Sequence, residues 1–170
     1  MTSPFKFNIA RLSDFEQRTQ TGPAPVRIGP EMIGIPEGGE VTVDATLTHL
    51  GGGVLVDADV RGELIGQCVR CLTEIRRPLD MHISQVFSTS PDFVTGDEDE
   101  DGLTDDIPEV TGDTLDLLQT VIDEAGLTLP FNPTCDGGCS DEETPAPDGV
   151  SGEDEDKLQD PRWAGLEKFL

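Results

Sequence analysis

From Glu40 onward the chain alternates with a period of two. Val41, Val43, Ala45 and Leu47 interleave with Thr42, Asp44, Thr46 and Thr48, the pattern of a strand that buries one face. Gly51-Gly52-Gly53 supplies a turn, after which Val54, Val56, Ala58 and Val60 alternate with Leu55, Asp57, Asp59 and Arg61. The two runs predict an antiparallel hairpin. Gly62 marks either a bulge or a close backbone approach. Leu64 and Ile65 continue the apolar supply toward Cys68. Beyond the Cys68-Val69-Arg70-Cys71 turn a further strand is expected from Ile75 to Phe87, with Leu79, Met81, Ile83 and either Val86 or Phe87 facing inward.

The flanks are less regular. Phe5, Phe7 and Ile9 alternate briefly, and a polar stretch then runs to Thr21-Gly22-Pro23, so residues 5–19 read as a leading arm. Residues 23–36, punctuated by four prolines and two glycines, read as loop with short edge strands. Downstream, Asp113 or Thr114 is placed to cap a helix whose apolar positions are Leu115, Leu118, Ile122 and Ala125. Gly126 is placed for its left-handed C-terminal cap, with Leu127 to Phe131 leaving in extended form. The expected class is α+β: an antiparallel β-meander core with one packed helix, a disordered acidic loop and tail, and a short C-terminal helix.

Charge and composition set the organisation. Thirty-five Asp and Glu against eleven Lys and Arg give a net charge of −24, and only 5% of residues are aromatic. The acidic run Asp97 to Asp101, with Asp105, Asp106 and Glu109, lacks apolar periodicity and is expected to be a solvated loop, an insert at about 96–110 in a domain spanning 1–140. Residues 141–159 read as an acidic linker. In 160–170, Pro161 follows an N-cap Asp160, and Trp163, Leu166 and Leu170 fall on one face, giving a short amphipathic helix. Those three residues are candidate partner-binding anchors, docking either on the same chain or on another.

The net charge opposes direct phosphate binding, which draws its affinity from Lys and Arg displacing counterions. A basic partner is the natural complement, while acidity that serves only solubility is the plainer alternative. Arg61, Arg70, Arg76 and Arg77 form the one basic cluster that would suit RNA. No signal-peptide pattern or membrane-length apolar run is present, so a cytoplasmic location is expected.

In a reducing compartment four cysteines point to metal or catalysis before disulfides. Cys68-x-x-Cys71 and Cys135-x-x-x-Cys139 supply the ligand count of a structural Zn²⁺ site. Metal would deprotonate all four, and Arg70 would favour thiolate. The alternatives are four unligated thiols or a redox C-x-x-C, the latter disfavoured because strands rather than a strand and a helix flank it. His49 and His82 both lie in strand patterns, and no P-loop, G-x-S-x-G or H-E-x-x-H occurs. No catalytic residue is assigned and the chain is not expected to be an enzyme.

The run Gly53 to Leu72, including Val54-Leu55-Val56-Asp57-Ala58-Asp59-Val60-Arg61-Gly62 and Cys68-Val69-Arg70-Cys71, resembles the central motif of the YceD family in its actinobacterial form. Ile33-Gly34-Ile35-Pro36-Glu37-Gly38, Leu127-Thr128-Leu129-Pro130, Pro133-Thr134-Cys135 and Asp160-Pro161-Arg162-Trp163-Ala164-Gly165-Leu166 agree in order. The family's form often adds a C-P-x-C-G knuckle after the second pair. Here Cys139 is followed by Ser140-Asp141-Glu142-Glu143, so a metal site must use Cys68, Cys71, Cys135 and Cys139 alone. The resemblance implies a role in accumulation or processing of large-subunit ribosomal RNA without established catalytic chemistry. The acidic surface would then hold a basic ribosomal protein or a pre-ribosomal particle. A zinc-ribbon RNA-binding module and a C-x-x-C thiol oxidoreductase are the alternatives.

Overall fold

A computed structural model describes residues 3–90 and 107–139. Its elements are β1 (Lys6–Asn8), β2 (Phe15–Pro23), β3 (Ile33–Gly34), β4 (Glu40–His49), β5 (Gly53–Gln67), β6 (Glu74–Ser88), β7 (Thr114–Asp116) and α1 (Leu118–Thr128). β5 organises the rest. It pairs antiparallel with β6 along its full length, from Gly53↔Ser88 to Gln67↔Glu74. Its other edge is shared by β4, from Val41↔Gly62 to His49↔Val54, and by β3, through Ile33↔Gly66 and Gly34↔Ile65. β2 closes the far side by pairing with β4.

The alternating positions behave as their polarity dictates. Val41, Val43, Ala45 and Leu47 of β4, Val54, Val56, Ala58, Val60 and Leu64 of β5, and Leu79, Met81, Ile83 and Phe87 of β6 are buried. Phe87, not Val86, fills the last inward place of β6. Each fully buried aliphatic side chain contributes about 1.5–3 kcal/mol relative to exposure. Gly62 pairs in unbroken register with Val41, and a Cβ there would stand 2.9 Å from Ile35 Cδ1. It therefore marks a close approach, with no bulge.

The inner face is covered by a two-stranded sheet of β1 and β7 and by α1, which packs on β6. Phe5, Phe7, Leu115, Leu117, Val121, Ala125 and Leu129 complete the buried cluster.

Four expectations are corrected. The leading arm runs into β2, a full edge strand: its residues alternate between exposed and half-buried and none is buried, so hydrophobic periodicity gave no sign of it. The helix begins later than expected, because Leu115 is drawn into β7 opposite Phe7. Asp116, whose Oδ1 accepts the Leu118 N–H at 3.0 Å, stands where Asp113 or Thr114 was expected to act. Gly126 lies inside α1, which runs through Thr128, and Leu129 is the first extended residue. Finally, the end of the acidic insert is ordered: the Ser88 N–H donates to the Pro108 carbonyl and the Val110 N–H to the Ser88 carbonyl, both at 2.9 Å. The run Asp97 to Asp106, the linker 141–159 and the helix expected at 160–170 lie outside the described residues.

Candidate metal centre

The inward register of β5 runs Val60, Gly62, Leu64, Gly66 and continues past the strand to Cys68, which is why that sulfur is sealed from solvent. The chain then turns tightly. The Leu72 N–H donates to the Cys68 carbonyl and the Cys68 N–H to the Thr73 carbonyl, both at 2.9 Å. Leu72 takes a left-handed conformation, φ 59°, and Cys71 is folded back beside Cys68.

The second pair arrives from the other side of the core. After α1 the extended segment from Leu129 crosses to the first turn, where the Val69 N–H donates to the Pro133 carbonyl at 2.9 Å. Gly137 and Gly138, at φ 81° and 100°, wind the chain from Cys135 back to Cys139. Arg77 of β6 fixes this loop from outside. Its Nη2 donates to the Thr134 carbonyl at 2.6 Å and to Asp136 Oδ1 at 2.6 Å, while its Nε donates to Asp136 Oδ2 at 3.2 Å.

All four sulfurs lie within 4.8 Å of one another. Cys68 Sγ stands 3.6 Å from Cys139 Sγ, and Cys71 Sγ stands 3.5 Å from Cys135 Sγ. A disulfide would require about 2.05 Å, so all four are free thiols. Four thiolates about 2.3 Å from one Zn²⁺ would have edges of about 3.8 Å, close to the spacing found. Cys68 is buried and the other three are half-buried, so one ligand position is sealed and the rest are partly shielded.

The electrostatics split the set in two. The backbone N–H of Cys71, helped by those of Arg70 and Cys135, lowers Cys68 to about 6 against the cost of burial. The Thr73 hydroxyl, 3.3 Å from its sulfur, and the Thr73 N–H lower Cys71. Their developing negative charge pushes the second pair the other way. Cys135 is pushed up to about 12, first by its thiol hydrogen bond to Cys71, and Cys139 is raised through Cys71 and then Cys68. The same sulfur contacts thus lower the first pair and raise the second. A divalent ion would displace the remaining protons.

The family model described as large ribosomal RNA subunit accumulation protein YceD matches residues 56–170. The chain belongs to the YceD family. It is 33% identical over 177 residues to an uncharacterized protein of Mycobacterium tuberculosis, covering 100% of this chain and 83% of that protein. A Mycobacterium leprae protein, also uncharacterized, is 33% identical over 158 residues, covering 89% of this chain and 69% of its own. The uncharacterized protein YlbN of Bacillus subtilis is 31% identical over 121 residues, 69% of this chain and 66% of that protein. No solved structure matches the chain.

In this YceD-family protein the matched region contains both cysteine pairs and runs from within β5 through α1. The basic cluster is largely neutralised in place. Arg61 is 2.8 Å from Asp44 and 3.8 Å from Asp80, Arg76 is 2.7 Å from Glu74 and 3.3 Å from Glu63, and Arg77 is held by Asp136. Arg70 lowers the neighbouring sulfur through its backbone N–H. The histidines serve elsewhere: His49 Nδ1 accepts the Gly51 N–H at 3.2 Å, and His82 pairs with Asp59 at 2.9 Å on the outer sheet face. Thr73 and Asp136 are site residues that sequence reasoning missed, and Arg77, read there only as part of an RNA-binding cluster, instead braces the second cysteine loop. Thr73 was detectable from its place two residues after Cys71, whereas Arg77 and Asp136 are 59 residues apart. Trp163, Leu166 and Leu170 lie outside the described residues.

Proposed function

We propose that this protein is a non-enzymatic accessory factor in ribosome biogenesis, a metal-clasped β domain that supports large-subunit ribosomal RNA accumulation by holding a basic ribosomal protein or a pre-ribosomal particle containing one. The observation that carries this reading is the YceD family match, whose description names large ribosomal RNA subunit accumulation. Charge supports the choice of partner. The described residues alone carry eight Lys and Arg against seventeen Asp and Glu, so they are acidic in their own right. The register sets Asp44 directly opposite Asp59, and Arg61 opposite Asp80. Within the sheet Arg61 lies 2.8 Å from Asp44 and His82 lies 2.9 Å from Asp59, so what is left for a cationic partner is the excess of carboxylates over cations.

In this reading Cys68, Cys71, Cys135 and Cys139 hold one Zn²⁺ that pins the segment after α1 to the β5–β6 turn. Four close thiols with no described acid or histidine among them favour a closed structural site over a catalytic one, which keeps a ligand position open. A thiol oxidoreductase needs an accessible attacking sulfur, and Cys68 is sealed. Direct RNA binding needs unpaired cations, whereas three of the four clustered arginines are engaged by acids.

Affinity purification from growing cells at low and high salt, identifying both proteins and RNA, tests the proposal. Recovery of a basic large-subunit protein at low salt and its loss at high salt is the expected result. Enrichment of RNA without any basic protein would support the RNA-binding alternative instead.

A further inference from the structure

Two close thiol contacts run between the knuckles, in a cluster whose four sulfurs all lie within 4.8 Å of one another. Cys68 faces Cys139 at 3.6 Å, and Cys71 faces Cys135 at 3.5 Å. We infer that this cluster is a peroxide-sensitive clasp whose oxidised form contains two crossed disulfides, Cys71–Cys135 formed first and Cys68–Cys139 second. The inference rests on the same convergence of thiols as the metal reading but does not require the metal.

Crossing follows from the fold. Cys68 ends a strand with its sulfur directed inward, and its position is fixed by the turn that returns through Leu72 and Thr73. Cys135 and Cys139 approach from the opposite side, held by Val69 and Arg77. Each sulfur of the first knuckle therefore meets one of the second. Closing either contact to bonding distance needs a sulfur movement of about 1.5 Å, within reach of side-chain rotation.

Order follows from burial. Cys71 and Cys135 are both half-buried and open to a small oxidant, while Cys68 is closed off. One sulfur of the first pair attacks a peroxide oxygen and becomes a sulfenic acid, releasing hydroxide. Its partner then attacks that sulfur, forming the S–S bond and expelling a second hydroxide. Per disulfide, two thiols lose two protons and two electrons, and the peroxide leaves as two waters. The second pair follows once the first has consumed two ligands and any bound metal has been released.

The consequence is a clasp that survives oxidation. Both disulfides still join the β5–β6 turn to the segment after α1, so the fold is retained while the metal is lost. Bonds within each knuckle would instead free that segment from the sheet.

The sequence makes the pairing readable. Arg70 lies between Cys68 and Cys71, and Asp136 lies between Cys135 and Cys139, so cleavage after arginine and before aspartate puts each cysteine on its own peptide. The full chain as purified is treated with graded hydrogen peroxide, its zinc content is measured, and the linked peptides are identified by mass spectrometry. The expected result is Cys71–Cys135 at low oxidant and both crossed disulfides at high oxidant, each with the loss of two hydrogens. Linkage of Cys68 to Cys71, Cys135 to Cys139, or conversion to sulfonic acids without disulfides would overturn the inference. Crossed disulfides in protein that never held zinc would remove the metal reading and leave this one standing, whereas zinc with within-knuckle linkage would do the reverse.

Discussion

Arg77 of β6 grips both carboxylate oxygens of Asp136, at 2.6 and 3.2 Å, across 59 residues of chain. The same guanidinium reaches the Thr134 carbonyl, so one side chain of the sheet orients the loop that delivers Cys135 and Cys139. Asp136 is largely exposed, which screens the pair and limits its value. Arg77→Ala is expected to cost about 1 kcal/mol, read as a lower denaturation midpoint. Arg77→Lys should recover only part of this, because an ammonium cannot form the two-pronged contact. An unchanged midpoint in both variants would show that the loop is held without this residue.

Gly66 is where β3 crosses closest to β5. A Cβ there would stand 2.3 Å from the Met32 carbonyl oxygen and 2.8 Å from Ile33 Cα. Backbone cannot yield as a side-chain tip can, so Gly66→Ala should cost roughly 3 kcal/mol and open the Ile33↔Gly66 pairing. Thermal melting measures the loss, and amide exchange at Ile33 locates it.

Gly126 offers the opposite case. It is helical, and nothing lies within 4 Å of the position a Cβ would occupy. Gly126→Ala should therefore stabilise the fold by about 0.5–1 kcal/mol through helix propensity, seen as a raised midpoint in urea. A destabilising outcome would place Gly126 at the helix cap after all.

Leu72 carries a positive φ of 59° while its side chain is 65% exposed. A left-handed residue with a Cβ is disfavoured by roughly 1–2 kcal/mol, and glycine is not. Leu72→Gly gives up little packing and should gain about 0.5–1 kcal/mol after the added flexibility of the unfolded chain is counted. Equilibrium unfolding of the metal-free and zinc-loaded protein checks this in both states.

The legible part of the fold was the part that buries one face. β4, β5 and β6 announced themselves because Val41 through Phe87 alternate against a single core. β2 did not, because its edge position leaves every residue at least partly wet, and polarity then follows no period. The helix start was misplaced for a different reason: Leu115 has helical spacing relative to Leu118, but its burial comes from Phe7 across a strand pair. In the site, the cysteines were legible from ligand count and spacing. Their crossed contacts and the Arg77–Asp136 brace were not, since both depend on how a segment after α1 returns to the end of β5.

Protonation should govern the metal. Cys135 and Cys139 are raised above the ordinary thiol range by the sulfurs they face, so their protons must be displaced when an ion binds. Zinc affinity is therefore expected to fall as pH falls, with protons released on binding. Calorimetry in buffers of different ionisation enthalpy measures that release, and a pH-independent affinity would show that the thiols are not the ligands.

The most direct measurement is the metal content of untagged protein together with its accessible thiols in the native state. The expected result is about one equivalent of zinc per chain, four thiols protected until a chelator is added, and a lower thermal midpoint once the metal is removed. Less than about a tenth of an equivalent, with all four thiols titrating freely in the folded protein, would contradict it.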